Sequence, residues 1–157
     1  KGIGVCAGMK LIHVAGSTGN LDTDFRGEAE AALAALQDGI DFVYLHIEAP
    51  DECGHRQETE NKVKSIELID SLTVKTLKAG LDCLGEPYRM MILPDHATPL
   101  SLRTHTADPV PFLIYDSQHE QNGVCRGFDE QSAGDAGFFL GEGYRLMDLF
   151  LQKTEGQ

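Results

Sequence analysis

The hydrophobic residues of this chain fall into two patterns, short unbroken runs and residues recurring three or four apart, and the patterns alternate along the sequence. Lys10 to Val14 (KLIHV) is an apolar run that ends at the turn cluster Gly16-Ser17-Thr18-Gly19. Thr23 or Asp24 can then cap a helix that passes through Glu28 and an alanine-rich stretch to Leu36, with Gly39 as its stop. Asp41 to Glu48 (DFVYLHIE), continuous in β-branched and aromatic residues, is the strongest strand signal. Val63, Ile66, Ile69, Leu72 and Leu77 recur at helical spacing and predict a helix from Glu60 to about Leu84. Arg89 to Leu93 (RMMIL) and Pro111 to Tyr115 (PFLIY) are two more strands of the buried type. An amphipathic helix is expected over Gly141 to Leu151, after a polar, linker-like stretch from Gln118 to Gly134.

Such an order predicts an α/β fold, a mixed, mostly parallel sheet flanked by helices. The 17 residues between Leu93 and Pro111 include Pro94, Pro99 and Pro109, which leave little room for the crossover helix that parallel neighbours need. The strand near residues 111–116 is therefore expected to run antiparallel. The loop ahead of it then shares a sheet edge with the loops that follow the other two strands.

At 157 residues the chain suits one domain. Its 25 acidic and 13 basic side chains give a formal charge of −12, which argues against nucleic acid as a partner. A hydrophobic content of 41% excludes a disordered acidic tail. No apolar stretch approaches the ~20 residues of a membrane span, and no signal peptide opens the sequence. Cys6, Cys53, Cys83 and Cys125 form no C-x-x-C pair, a usage expected of reduced thiols in a cytoplasmic protein. An acidic excess also suits a site that holds cations.

Three segments carry the candidate chemistry. Ala49-Pro50-Asp51-Glu52-Cys53-Gly54-His55 follows the first long strand, Pro94-Asp95-His96-Ala97-Thr98-Pro99 follows RMMIL, and Arg103-Thr104-His105-Thr106-Ala107-Asp108-Pro109 precedes PFLIY. Ligands of open α/β sheets sit beyond the carboxyl ends of the strands, where the first two loops fall. Asp51 and His55 are four apart, so on a helical turn they face one way and can share a cation. Asp95 and His96 are adjacent, so their side chains are expected to diverge toward two neighbouring ions. Carboxylates mixed with imidazoles suit Mn²⁺ or Zn²⁺, and Mg²⁺ less well. Taken singly, each element has a plainer reading as a surface pair, a capped turn or a loop histidine; their joint occurrence carries the metal reading. His13 and His46 fall in expected strands and are read as packing residues. Cys53 reads as a small bystander thiol, and Gly16-Ser17-Thr18-Gly19 as a plain turn.

APDECGH, PDHATP and RTHTADPVPF resemble the metal-binding motifs of the cofactor-independent phosphoglycerate mutases, in the archaeal-type branch that also occurs in bacteria. That family belongs to the alkaline phosphatase superfamily. The likeness starts at KGIGVCAGMK and runs through GSTGNLDTDFRGEAEAALAAL. It implies two divalent metal ions and no 2,3-bisphosphoglycerate. It assigns Asp51, His55 and His105 to one ion and Asp95 and His96 to the other. The implied reaction is the interconversion of 2- and 3-phosphoglycerate in glycolysis, through a phosphoserine, with a small phosphorylated substrate as the partner. Arg103 is a candidate contact to the phosphate.

The sequence departs from the family in length. Members open with a strand bearing a further aspartate ligand, then the nucleophilic serine and an inserted substrate domain. No serine here has the matching context: Ser17 is in a turn, Ser65 and Ser71 fall on the long helix, and Ser101 lies between two motifs. Residues 1–157 are thus expected to be the C-terminal part of the phosphatase-like domain, an incomplete core with one full metal site, half of another and no mutase activity of its own. Other readings are a different phosphoryl transfer on the same metal core (homoserine kinase, phosphatase or phosphopentomutase type) and a non-catalytic metal-binding module. Exposed strand edges would favour self-association.

Overall fold

Asp24 accepts a hydrogen bond from Gly27 N at 2.9 Å and caps helix α2, Phe25–Gln37, satisfying an N–H group that the helix start leaves unpaired. Thr23, the other expected cap, instead donates to buried Glu28 Oε1 at 2.7 Å. These features come from a computed structural model that describes residues 2–121 and 127–152. Cys125 lies outside the described residues. Cys6, Cys53 and Cys83 are unpaired thiols.

The described residues form two compact units, and each is treated by itself. The first runs up to Gly85 and includes Thr98–Thr104. It contains α1 (Gly2–Cys6), α2, α3 (Ala49–His55), α4 (Thr59–Leu68), a π-helical turn (Ile69–Val74) and α5 (Lys75–Leu84). The last three join into the long helix expected from the hydrophobic spacing. Phe25, Ala29, Ala32 and Ala35 give α2 a buried face of mostly small residues. Close approach follows from that composition: a Cβ on Gly80 of α5 would come within 2.4 Å of Leu33 Cδ1. Thr73, 2% exposed in the π-helical turn, donates its hydroxyl to Phe25 O at 3.0 Å.

The second unit comprises Glu86–Ala97 and the described residues from His105 onward. Strands β1 (Arg89–Ile92) and β2 (Leu113–Asp116) pair antiparallel, with Arg89 opposite Asp116 and Ile92 opposite Leu113. An isolated antiparallel bridge joins Ala97 to Thr106. Helix α6 (Glu130–Asp135), a 3₁₀ turn (Gly143–Arg145) and α7 (Leu146–Phe150) follow. The antiparallel strand is as expected, and α6 forms inside the stretch expected to be linker-like.

The mostly parallel sheet is not present among the described residues. The sheet there is two-stranded and antiparallel, and neither 10–14 nor 41–48 forms a strand. A strand exists only through a ladder partner, and the apolar residues of these segments stay part-exposed, Leu11 at 38% and Tyr44 at 63%. No helix among the described residues is long and apolar enough to cross a membrane.

Candidate metal centre

APDECGH folds as α3, with Pro50 in the first turn pre-setting the backbone and Asp51 and Glu52 facing the positive end of the helix dipole. The i, i+4 spacing turns Asp51 and His55 to one face, where His55 Nε2 lies 3.3 Å from Asp51 Oδ2. Beyond the C-cap Arg56, Gln57 N donates to Gly54 O and Glu58 N to Cys53 O, the paired bonds of a Schellman ending, with Gln57 at φ 59°. Hydrogen bonds from Asn61 and Arg56 hold the Glu58 carboxyl below its ordinary pKa. Cys53 is fully buried, and that burial raises its thiol pKa, as befits a bystander.

Both side chains are held from behind. Asp51 Oδ1 accepts from the hydroxyl of Thr98, a buried residue whose carbonyl accepts from Lys62 Nζ at 2.8 Å. The segment can approach α3 this closely because residue 54 is glycine: a Cβ there would lie 2.8 Å from Thr98 O and 2.9 Å from Lys62 Nζ. His55 Nδ1 lies 2.9 Å from Arg103 O. A carbonyl only accepts, so Nδ1 carries a hydrogen, and Nε2 is the ring nitrogen turned toward the Asp51 carboxylate.

Two electron-pair donors facing each other across 3.3 Å require a cation between them, either a proton on the imidazole or a metal ion. Ligand atoms of a four-coordinate ion with bonds of about 2.0–2.1 Å are separated by about that distance. An imidazole fixed through its other nitrogen by a carbonyl, and a carboxylate fixed by a hydroxyl, are the supports that metal ligands ordinarily have. The donor set of α3 therefore fits a divalent cation.

In the second unit, His96 N donates to Asp95 Oδ1 at 3.1 Å and His96 Nε2 comes within 3.5 Å of the same oxygen. The two side chains converge, which corrects the expected divergence: the turn after β1 folds the carboxylate back over its neighbour. The ring of His96 packs on that of His105 with centroids 3.7 Å apart. Asp108 accepts from Thr106 Oγ1 at 2.7 Å. Arg103, in the first unit, has φ 56° and donates from Nη2 to Gln57 Oε1.

Gly54 and Thr98 lie inside APDECGH and PDHATP but nothing in those motifs marks them as supports, and Lys62 and Gln57 have no periodic or motif signal of their own. In Gly16-Ser17-Thr18-Gly19, Gly16 takes φ 82°, Ser17 N donates to Val14 O and Thr18 N to Thr23 Oγ1, the bonding of a turn. His13 and His46 are exposed.

Comparison with known proteins places this arrangement in context. A family model described as Metalloenzyme superfamily matches residues 2–153. A probable 2,3-bisphosphoglycerate-independent phosphoglycerate mutase of Geobacter sulfurreducens is 46% identical over 153 residues, covering 98% of this chain and 38% of the relative. The 2,3-bisphosphoglycerate-independent phosphoglycerate mutase of Methanothrix thermoacetophila is 47% identical over 155 residues, with 96% and 38% covered. The solved PH0037 protein from Pyrococcus horikoshii is similar with a TM-score of 0.78 at 26% identity, over 99% of this chain and 47% of that one. The chain thus spans about 38% of the length of the curated relatives it matches.

Proposed function

The chain belongs to the Metalloenzyme superfamily, and on that premise we propose that it supplies the cation-binding part of a phosphoglycerate mutase. In this reading Asp51, His55 and His105 hold one divalent ion and Asp95 and His96 a second. Mn²⁺ or Zn²⁺ suits the mixed oxygen and nitrogen donors best. The substrate is a small phosphorylated acid, 2- or 3-phosphoglycerate, handled in the cytoplasm as a step of glycolysis, with Arg103 a contact to its phosphate.

One observation carries the reading: with Nδ1 held by Arg103 O, His55 directs Nε2 at an Asp51 carboxylate oxygen 3.3 Å away, a spacing that a divalent ion can bridge. Chain continuity supports the remaining ligands. His105 follows Arg103 by two residues, and Asp95 and His96 precede Thr98, the residue that anchors Asp51, by three and two. The identity of 46–47% with proteins named as these mutases supports the substrate. In the same reading the apolar segments 10–14 and 41–48, which form no strand among the described residues, would join a mostly parallel, phosphatase-like sheet once ladder partners stand beside them.

A bound divalent ion would act as a Lewis acid, neutralising phosphoryl oxygens and acidifying a nucleophilic hydroxyl. The chain's own contribution is to orient His55 through the Arg103 carbonyl and to aim Asp51 through the Thr98 hydroxyl. Ser65 and Ser71 donate to backbone carbonyls of their own helix, Lys62 O and Glu67 O, so neither is a nucleophile and the chain alone is expected to show no mutase turnover.

Metal content and affinity at pH 7 test the reading. The purified chain is expected to bind at least one Mn²⁺ or Zn²⁺, with Asp51→Ala losing the tighter ion and Asp95→Ala keeping it. A wild-type chain that binds neither ion, or an Asp51→Ala chain that binds as tightly as wild type, overturns it.

A further inference from the structure

Gln57 and Arg103 share an unusual backbone. Their φ values, 59° and 56°, lie in the left-handed region that favours glycine, and among the described residues only Gln152 is another non-glycine there. Each has a local reason to be left-handed. Gln57 closes the Schellman ending of α3, and Arg103 closes a turn in which Leu102 N and Arg103 N both donate to Pro99 O, at 3.0 and 2.9 Å. Glycine would serve either turn with less strain.

Both positions instead carry long polar side chains, and these are joined, Arg103 Nη2 donating to Gln57 Oε1. The bond closes a ring of connections around one imidazole. The chain leads from His55 to Gln57, the side-chain bridge leads on to Arg103, and the Arg103 carbonyl returns to His55 Nδ1 at 2.9 Å. Two residues held at the cost of backbone strain, bonded to each other, and enclosing a candidate ligand are better explained by what they hold than by their own stability.

We propose that Gln57 and Arg103 are positioning residues, a latch that keeps the Arg103 carbonyl on His55 Nδ1 and thereby fixes the tautomer that turns Nε2 to the cation. The inference deepens the reading of Asp51 and His55 as cation ligands and rests on it. The latch acts through the Arg103 backbone; the guanidinium serves to anchor that backbone, and its remaining N–H donors are available to a phosphate.

The test compares the wild-type chain with Gln57→Gly, Gln57→Asn, Gln57→Glu and Arg103→Gly. Two quantities are read: the Kd for Zn²⁺ and Mn²⁺, and the tautomer of His55 in metal-free protein, from long-range ¹H–¹⁵N NMR at a pH where the ring is neutral. Glycine and asparagine relieve the backbone but break the bridge, so folding is retained while Kd rises about tenfold and Nδ1–H loses its dominance. Gln57→Glu keeps an acceptor for Arg103 and is expected to behave as wild type. A bridge that is only surface decoration predicts the opposite, with the glycine variants more heat-stable and both Kd and tautomer unchanged; that result overturns the latch. Should the wild-type chain bind no metal, the cation reading fails, and the metal-free tautomer still decides the latch by itself.

Discussion

On α3, His55 is bonded through Nδ1 to a carbonyl and Asp51 accepts from a buried threonine, so each side chain has one atom held from behind and one directed at the other. On the turn after β1, Asp95 and His96 have the same chemistry in a different local setting. The aspartate accepts from its neighbour's backbone, its side chain is 55% exposed, and the imidazole leans on a second imidazole. The same pair of residue types is thus mounted on a wedged helix in one unit and on a turn in the other. Ligand identity is shared, and the difference lies in preorganisation, which for metal sites governs affinity as strongly as the donors do.

The contrast can be broken most forcibly at Gly54. An alanine Cβ would meet Thr98 O and Lys62 Nζ below 3.0 Å, so Gly54→Ala is expected to cost about 2–3 kcal/mol in urea unfolding and to weaken metal binding with it. Unchanged stability would mean that the close approach of Thr98 is not what stiffens α3. Thr98→Val, nearly isosteric, removes the hydroxyl that donates to Asp51; a loss of about 1 kcal/mol is expected, since Asp51 is part-exposed and water replaces some of the bond. Isothermal titration of the same variant should show weaker binding, and equal affinity would reduce the α3 ligands to the footing of Asp95 and His96.

Substitutions in the second unit should be milder. Gly134 lies inside α6, and a Cβ added there would meet nothing within 4 Å, so Gly134→Ala is expected to stabilise by about 0.5–1 kcal/mol, read as a raised denaturation midpoint. A loss there would show that α6 is packed more tightly than its surface suggests. The smallest effect concerns pH. The Gln118 N–H, with help from His119 and Arg89, holds the Asp116 carboxyl below its ordinary pKa. A depressed carboxylate contributes stability that is fully present above about pH 3.9 and is lost as pH falls through the lower folded value. The midpoint difference between wild type and Asp116→Asn should therefore close as pH falls below about 3.9; a difference that persists in strong acid would remove charge from the explanation.

Much of the helical framework was legible in the sequence. The cap at Asp24, the stop at Gly39, the long apolar spacing from Val63 to Leu77 and the pairing of Asp51 with His55 are local, and local signals suffice for helices. The antiparallel strand was legible through three prolines that forbid a crossover. Less could be read where partners decide. DFVYLHIE has the strongest strand pattern in the chain and forms no strand among the described residues, because pairing is a property of two segments. The supports of the site were hidden for a related reason: Thr98 and Gln57 act across 47 and 46 residues of chain, and no spacing rule reaches that far.

The π-helical turn at Ile69–Val74 has a consequence for how this chain tolerates change in length. Successive residues of an α-helix are turned by about 100° about its axis, so the turn sets the phase between α4 and α5. The wider turn accommodates one residue more than α-helical winding would, so a single-residue deletion within it would restore a uniform α-helix with Gly80 still facing Leu33, whereas the same deletion in a regular turn of α5 ahead of Gly80 would swing it away. Elsewhere along this long helix the loss of one residue would turn everything after it by about 100°; at Ile69–Val74 the chain has a place where one residue can be given up.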